Sequence, residues 1–78
     1  MTMQELKEIL AEQFSCDEAE LEPETTLTDL GADAEDLIEL AWQLGEVAGV
    51  EISESDLDAD NTVEQLWRFV REMEEAAE

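Results

Sequence analysis

Residues 33–49 read DAEDLIELAWQLGEVAG, and the spacing of the apolar residues in this stretch predicts an amphipathic helix. Asp33 is suited to cap its start, because an aspartate side chain accepts hydrogen bonds from the free amides of a first turn. Gly49 is a typical residue at which a helix ends. The face that we expect in the core carries Leu37, Leu40, Ala41, Leu44, Val47 and Ala48. The stretch therefore predicts the central helix of a helical domain.

The opposite face of this helix is acidic but contains two large apolar side chains. At about 100° per residue, Ile38 and Trp42 fall outside the core stripe, and Trp42 lies nearly opposite its centre among Glu35, Glu39 and Glu46. Two interpretations stay open for the tryptophan. It either covers the loop that precedes the helix, or it is exposed and available to a partner.

Two further segments have the sequence features of helices. Thr2 followed by Glu5 has the form of a capping box, and apolar residues then recur at helical spacing as far as Phe14. Thr62 followed by Gln65 repeats this form. We therefore expect a first helix from Thr2 to Phe14 and a last helix that begins after Thr62.

The segments between these helices predict one long and one shorter connection. Residues 15–32 are mostly polar, and we expect a loop that is held in place by three leucines, Leu21, Leu27 and Leu30. Ser53 with Asp56 is suited to cap a short helix around Leu57. The last helix is expected to fade into a frayed acidic tail over residues 74–78.

The length of 78 residues leaves room for one domain with a modest core. We expect residues 1–78 to form a single all-α domain, an up-down four-helix bundle with three main helices, one short helix and a long first loop. So small a domain has little room for a deep catalytic pocket. The chain also has no histidine, which removes the commonest general base, so we expect no enzyme.

The charge of the chain constrains its partners. The chain has twenty-four acidic residues and only three basic ones, Lys7, Arg68 and Arg71, which gives a formal net charge of −21. This charge opposes binding to nucleic acid or to an anionic membrane and favours a basic protein surface. Cys16 is the only cysteine, and no apolar run approaches the roughly 20 residues of a membrane span. We therefore expect a soluble, cytoplasmic monomer with no membrane insertion.

Residues 27–34 read LTDLGADA, and this stretch resembles the Leu-x-x-Leu-Gly-x-Asp-Ser signature of acyl carrier and peptidyl carrier domains. The likeness spans roughly the whole chain and continues at Asp36, Ile38, Glu39, Leu40, Gly49, Val50, Glu51, Ile52, Asp56, Thr62 and Val63. It implies a four-helix bundle of the acyl-carrier type. It also implies a non-catalytic role in fatty-acid, lipid or secondary-metabolite pathways.

The resemblance breaks down at the residue that carries the family's chemistry. In carrier domains the serine of the signature accepts a 4′-phosphopantetheine arm from coenzyme A, but this chain has Ala34 at that position. The next family position is normally a leucine and is Glu35 here. Ser15, Ser53 and Ser55 lie outside the signature and are expected to serve as turn and cap residues. We therefore expect no 4′-phosphopantetheine on this chain.

The resemblance also implies a surface for partner enzymes. In carrier proteins the matching surface of the second helix docks against a patch of lysines and arginines on partner enzymes, and Asp36, Glu39 and Glu46 match such contacts. Ile38 and Trp42 would supply the apolar centre that an interface needs. The predicted docking surface comprises Glu35, Asp36, Ile38, Glu39, Trp42 and Glu46. A charged, solvated helix face without a partner is the plain alternative.

Three functions remain open at this point. The first is a carrier-like protein that docks a basic partner without carrying an arm. The second is a conventional acyl carrier protein with its attachment serine substituted. The third is an acidic, cation-binding interaction module. Asp56, Asp58 and Asp60 have the alternate spacing that opens a calcium-binding EF-hand loop, but Asn61 and Trp67 stand where that loop needs glycine and glutamate, so no metal site is predicted.

Overall fold

A computed structural model describes residues 1–77 of the chain. Within these residues the α-helices are α1 (Met3–Phe14), α2 (Ala34–Ala48) and α3 (Val63–Ala76). Single 3-10 turns occupy Glu18–Glu20, Thr28–Leu30 and Glu54–Asp56. The described part of the chain has no β-strand, only an isolated bridge between Thr26 and Thr62. The predicted all-α fold is confirmed, but the short helix expected around Leu57 is one 3-10 turn that ends just before it.

The ends of the helices follow the predicted signals. Each helix starts with a reciprocal capping box, formed by Thr2 with Glu5, Asp33 with Asp36, and Thr62 with Gln65. At the end of α2, Gly49 adopts a φ of 72°, which glycine tolerates without the steric penalty of a side chain. These caps satisfy backbone groups that a helix end otherwise leaves unpaired.

One expectation about the helix ends is wrong. The acidic segment from residue 74 does not fray at once, because α3 continues to Ala76. The ammonium group of Met1 contacts both carboxylate oxygens of Glu74 at 2.6 Å, and the indole nitrogen of Trp67 donates to the carbonyl of Met1 at 3.3 Å. These contacts join the first residues of the chain to the last turns of α3. Glu78 lies outside the described residues.

The core is formed by all three helices and by leucines of the connections. The buried apolar residues are Leu6, Leu10, Leu21, Leu27, Leu40, Ala41, Leu44, Leu57, Val63, Leu66 and Val70. Leu37 and Ala48 pack against this core but are only partly buried. Val47 was expected in the core and is 50% exposed. It lies one turn after Gln43, which sits at the polar margin of the contact between α1 and α2, so position 47 continues that margin.

The long loop is fastened to the segment that leads into α3. The amide of Leu27 donates to the carbonyl of Asn61 at 3.1 Å, and the amide of Thr28 donates to the carbonyl of Ala59 at 2.8 Å. In return, the amide of Val63 donates to the carbonyl of Thr25 at 2.9 Å. This pairing holds the loop in place immediately before α2 and so fixes where α2 begins.

Candidate partner-docking face

The outward face of α2 brings most of the predicted docking residues together. Ile38 is 53% exposed and Trp42 is 65% exposed. Glu35, Glu39 and Glu46 are also exposed. The interpretation in which Trp42 covers the preceding loop is wrong, because most of its surface is open to solvent. We call this set of five residues the α2 face.

A shallow groove lies beside Trp42. The chain reverses at Gly49, and residues 50–52 return alongside α2, where the amide of Val50 donates to the carbonyl of Gly45 at 3.1 Å. The resulting open groove has a volume of about 210 Å³ and is lined by Ala41, Trp42, Gly45, Glu46, Val50, Glu51 and Ile52. Sequence reasoning missed this groove. The signal that could have indicated it is Gly45 inside the predicted helix, because a glycine that is kept there despite its cost usually has a packing or functional reason.

Gly45 is the residue that allows this close approach. A Cβ atom added there would lie 2.7 Å from the carbonyl oxygen of Val50, which belongs to the backbone and cannot rotate away. In an open helix, Gly→Ala gains about 1 kcal/mol. Here we expect Gly45→Ala to lower the free energy of unfolding, because relief of such a clash costs about 1–3 kcal/mol. Thermal unfolding measures the difference, and a more stable variant would contradict the described backbone contact.

The first turn of α2 is the place where the resemblance puts the prosthetic group. Ala34 and Glu35 are the first two helical residues, and both are exposed. Asp33 Oδ1 accepts from the amide of Asp36 at 3.0 Å, and Asp36 Oδ2 accepts from the amide of Asp33 at 3.0 Å. The side chain of residue 34 is a methyl group, and residues 33–37 include no hydroxyl. This turn therefore offers no atom that could form a phosphodiester.

Two predicted docking residues also have contacts inside the protein. Asp36 is half-buried, and its carbonyl accepts from Gln13 Nε2 at 2.8 Å. Gln43 Nε2 donates to Gln13 Oε1 at 3.1 Å and to Glu39 Oε1 at 3.4 Å. Asp36 thus serves the helix cap and the contact between α1 and α2, and it lies at the edge of the α2 face. Sequence reasoning did not find Gln13 and Gln43, because their pairing joins residues far apart in the chain.

The arginines lie on a different helix from the α2 face. Arg68 pairs with Glu64 at 2.8 Å, and Arg71 contacts Glu75 at 3.7 Å. The guanidinium of Arg71 also lies 5.1 Å from the ring centre of Trp67. These contacts are within α3. Within residues 1–77, the ion pairs of both arginines are with carboxylates of α3 and not with those of the α2 face.

The aspartates around residue 58 serve the turn in which they lie. Asp56 Oδ2 accepts from the amide of Ser53 at 3.0 Å, and Asp58 Oδ1 accepts from the amide of Asp60 at 2.8 Å. Nowhere in residues 1–77 do acidic, cysteine or histidine side chains form a group that could hold a metal ion. In the same part of the chain, every helix is too short or too polar to cross a lipid bilayer.

Cys16 packs against the margin of the core. Its side chain is half-buried among the partly buried apolar residues. Burial raises the pKa of the Cys16 thiol, and the charges of Glu20 and Asp17 raise it further. The thiol is therefore protonated near neutral pH and is a poor nucleophile.

Comparison with known proteins identifies the family. The family described as "Phosphopantetheine attachment site" matches residues 4–70, so the chain belongs to the phosphopantetheine-attachment family. The chain is similar to an acyl carrier protein of Rubrobacter xylanophilus, with 37% identity over 75 residues that cover 95% of this chain and 93% of the relative. No solved structure matches the chain significantly. The predicted resemblance is confirmed, and acyl carrier proteins are carriers rather than catalysts.

Proposed function

We propose that this chain is an acyl-carrier-like binding protein that carries no phosphopantetheine and docks the basic surface of a partner enzyme through the α2 face. The partner is expected in a fatty-acid, lipid or secondary-metabolite pathway, and the protein is expected to be a cytoplasmic monomer. The observation that carries the proposal is an exposed tryptophan among carboxylates, directly beside an open groove.

The absence of the arm is argued from the first turn of α2. Ala34 takes the place that the resemblance gives to the attachment serine, and its methyl group cannot act as a nucleophile. The family's prosthetic group therefore does not fit the residues present at this position. Such a site gives no support to a role in which the chain itself carries a thioester.

The docking role is argued from the α2 face and the groove. Ile38 and Trp42 provide exposed apolar area, and aromatic residues are over-represented among the side chains that dominate binding energy. The groove beside Trp42 has a volume of about 210 Å³, which is enough for one apolar side chain of a partner, and two of its lining residues, Glu46 and Glu51, are exposed carboxylates. Carboxylates at a rim mainly steer association and select a basic surface.

A second candidate is a conventional acyl carrier protein seen with its attachment serine substituted. The match to the family over residues 4–70 and the intact capping box at Asp33 favour it. A single Ser→Ala change leaves Glu35 unexplained, which is why we prefer the first candidate. The cation-binding module has no support from a metal-binding group within residues 1–77.

Titration with a basic helical peptide tests the docking role. The probe carries lysines and arginines around a central leucine, and the change in total tryptophan fluorescence, from Trp42 and Trp67 together, reports its binding. Because the rim is acidic, we expect the affinity to fall roughly tenfold between about 50 and 300 mM salt, where the Debye length shortens by more than half. Replacing the central leucine of the peptide with serine is expected to weaken binding at every salt concentration. If this replacement has no effect, the interaction is unspecific charge attraction and the docking role is wrong.

A further inference from the structure

The start of α2, from its N-cap through its first turn, is strongly acidic. Asp33, Glu35 and Asp36 contribute three carboxylates within four residues. The carboxylates of Asp33 and Asp36 are held by the capping box, in which each accepts a hydrogen bond from a backbone amide at 3.0 Å. Glu35 has a different position, because it is exposed and belongs to the α2 face. Its charge is therefore directed to the solvent beside residue 34.

We infer that Glu35 is a second barrier to phosphopantetheine attachment, independent of the missing hydroxyl at position 34. This inference rests on the proposed function. Asp33 and Asp36 follow the pattern of carrier domains, so their charges are compatible with attachment there. Glu35 is the charge that this chain adds. A transferase must bring the diphosphate of coenzyme A to residue 34, well within one Debye length of the Glu35 carboxylate, and like charges at such a distance repel.

The same carboxylate also competes for the favourable electrostatics of the helix start. The positive end of the helix dipole stabilises a phosphate at this position. Glu35 lies in the first turn, so its negative charge is close to that dipole end. A phosphate that arrives there gains less than it would beside an apolar residue. Glu35 thus acts as a specificity-determining residue that excludes the group.

Restoring the hydroxyl separates the two barriers. In the variant Ala34→Ser, the introduced hydroxyl would attack the β-phosphorus of coenzyme A. A phosphodiester forms, the bond from the β-phosphorus to the bridging oxygen breaks, and 3′,5′-ADP leaves with the electron pair. The hydroxyl proton passes to a base of the transferase. The measured quantity is the initial rate of this reaction with magnesium and a promiscuous phosphopantetheinyl transferase, followed by intact mass.

Three variants are compared, after thermal unfolding has shown that each is folded. They are A34S, A34S/E35Q, and A34S/E72Q, in which a charge is removed from an exposed position of α3 outside the α2 face. We expect A34S to react slowly, A34S/E35Q to react at least about tenfold faster, and A34S/E72Q to stay within a factor of two of A34S. Higher salt should reduce the difference in rate between A34S and A34S/E35Q, because it screens exposed charges.

Several results would overturn the inference. Equal rates for A34S and A34S/E35Q, including no reaction of either, would show that the charge at position 35 is not what prevents modification. An equal acceleration by E72Q would assign the effect to the overall charge of the chain. None of these results bears on the peptide titration of the unmodified protein, so failure of this inference is distinguishable from failure of the docking role.

Discussion

Trp42→Ala is expected to weaken binding of the basic helical peptide by about 30-fold, which corresponds to the roughly 2 kcal/mol that defines an interface hot spot. The indole is 65% exposed, so its removal takes little from the core. The midpoint of thermal unfolding should consequently stay within a few degrees of that of the unmodified protein. Anisotropy of a labelled peptide measures the affinity, since the fluorescence of Trp42 is lost.

Val47→Ala is the matched control for this prediction. Val47 is on the same helix and is 50% exposed, but it lies outside the α2 face. We expect its truncation to leave peptide binding within a factor of two. Equal losses for both variants would mean that the peptide recognises general hydrophobicity. A large drop in stability for Trp42→Ala would assign the tryptophan to packing instead of docking.

Leu27→Ala is expected to cost about 2–5 kcal/mol of unfolding free energy, as large-to-small core substitutions do. Leu27 is 1% exposed, and its amide donates to the carbonyl of Asn61 in the segment that leads into α3. At about 0.05–0.15 kcal/mol per residue, a domain of 78 residues has a total stability of about 4–12 kcal/mol, of which this loss is a large share. We therefore expect unfolding at a much lower urea concentration, followed by circular dichroism at constant temperature.

Leu30→Ala provides the comparison for the loop. Leu30 ends the 3-10 turn that Leu27 precedes, but it is only partly buried against the core. Its truncation should cost clearly less than that of Leu27. If the two variants are equally stable, the loop is not anchored through Leu27, and the start of α2 is positioned in some other way.

The three α-helices, their starts and the end of α2 could be predicted because their signals are local. The capping residues Thr2, Asp33 and Thr62 act on amides three positions away, and Gly49 ends α2 through its own backbone conformation. Helix periodicity places Trp42 opposite the core stripe, but it leaves open whether the side chain covers the preceding loop or is exposed. These features need no knowledge of what packs against them.

The features that could not be predicted depend on residues distant in sequence. The last turns of α3 are supported by Met1, 73 positions before Glu74, so composition alone suggested fraying. The hydrogen bond of Gln43 depends on Gln13, which lies on another helix. The groove beside Trp42 exists because the chain returns over Gly45 after the end of α2. Pairwise contacts of this kind are decided by packing rather than by periodicity.

The most direct test of the proposed function is the intact mass of the unmodified protein after incubation with coenzyme A, magnesium and a promiscuous phosphopantetheinyl transferase. A conventional carrier domain in a parallel reaction shows that the transferase is active. We predict that the mass of this chain stays unchanged, because Ala34 has no oxygen with which to form a phosphodiester. A gain of one phosphopantetheine group at any residue would contradict the proposal that this chain carries no arm.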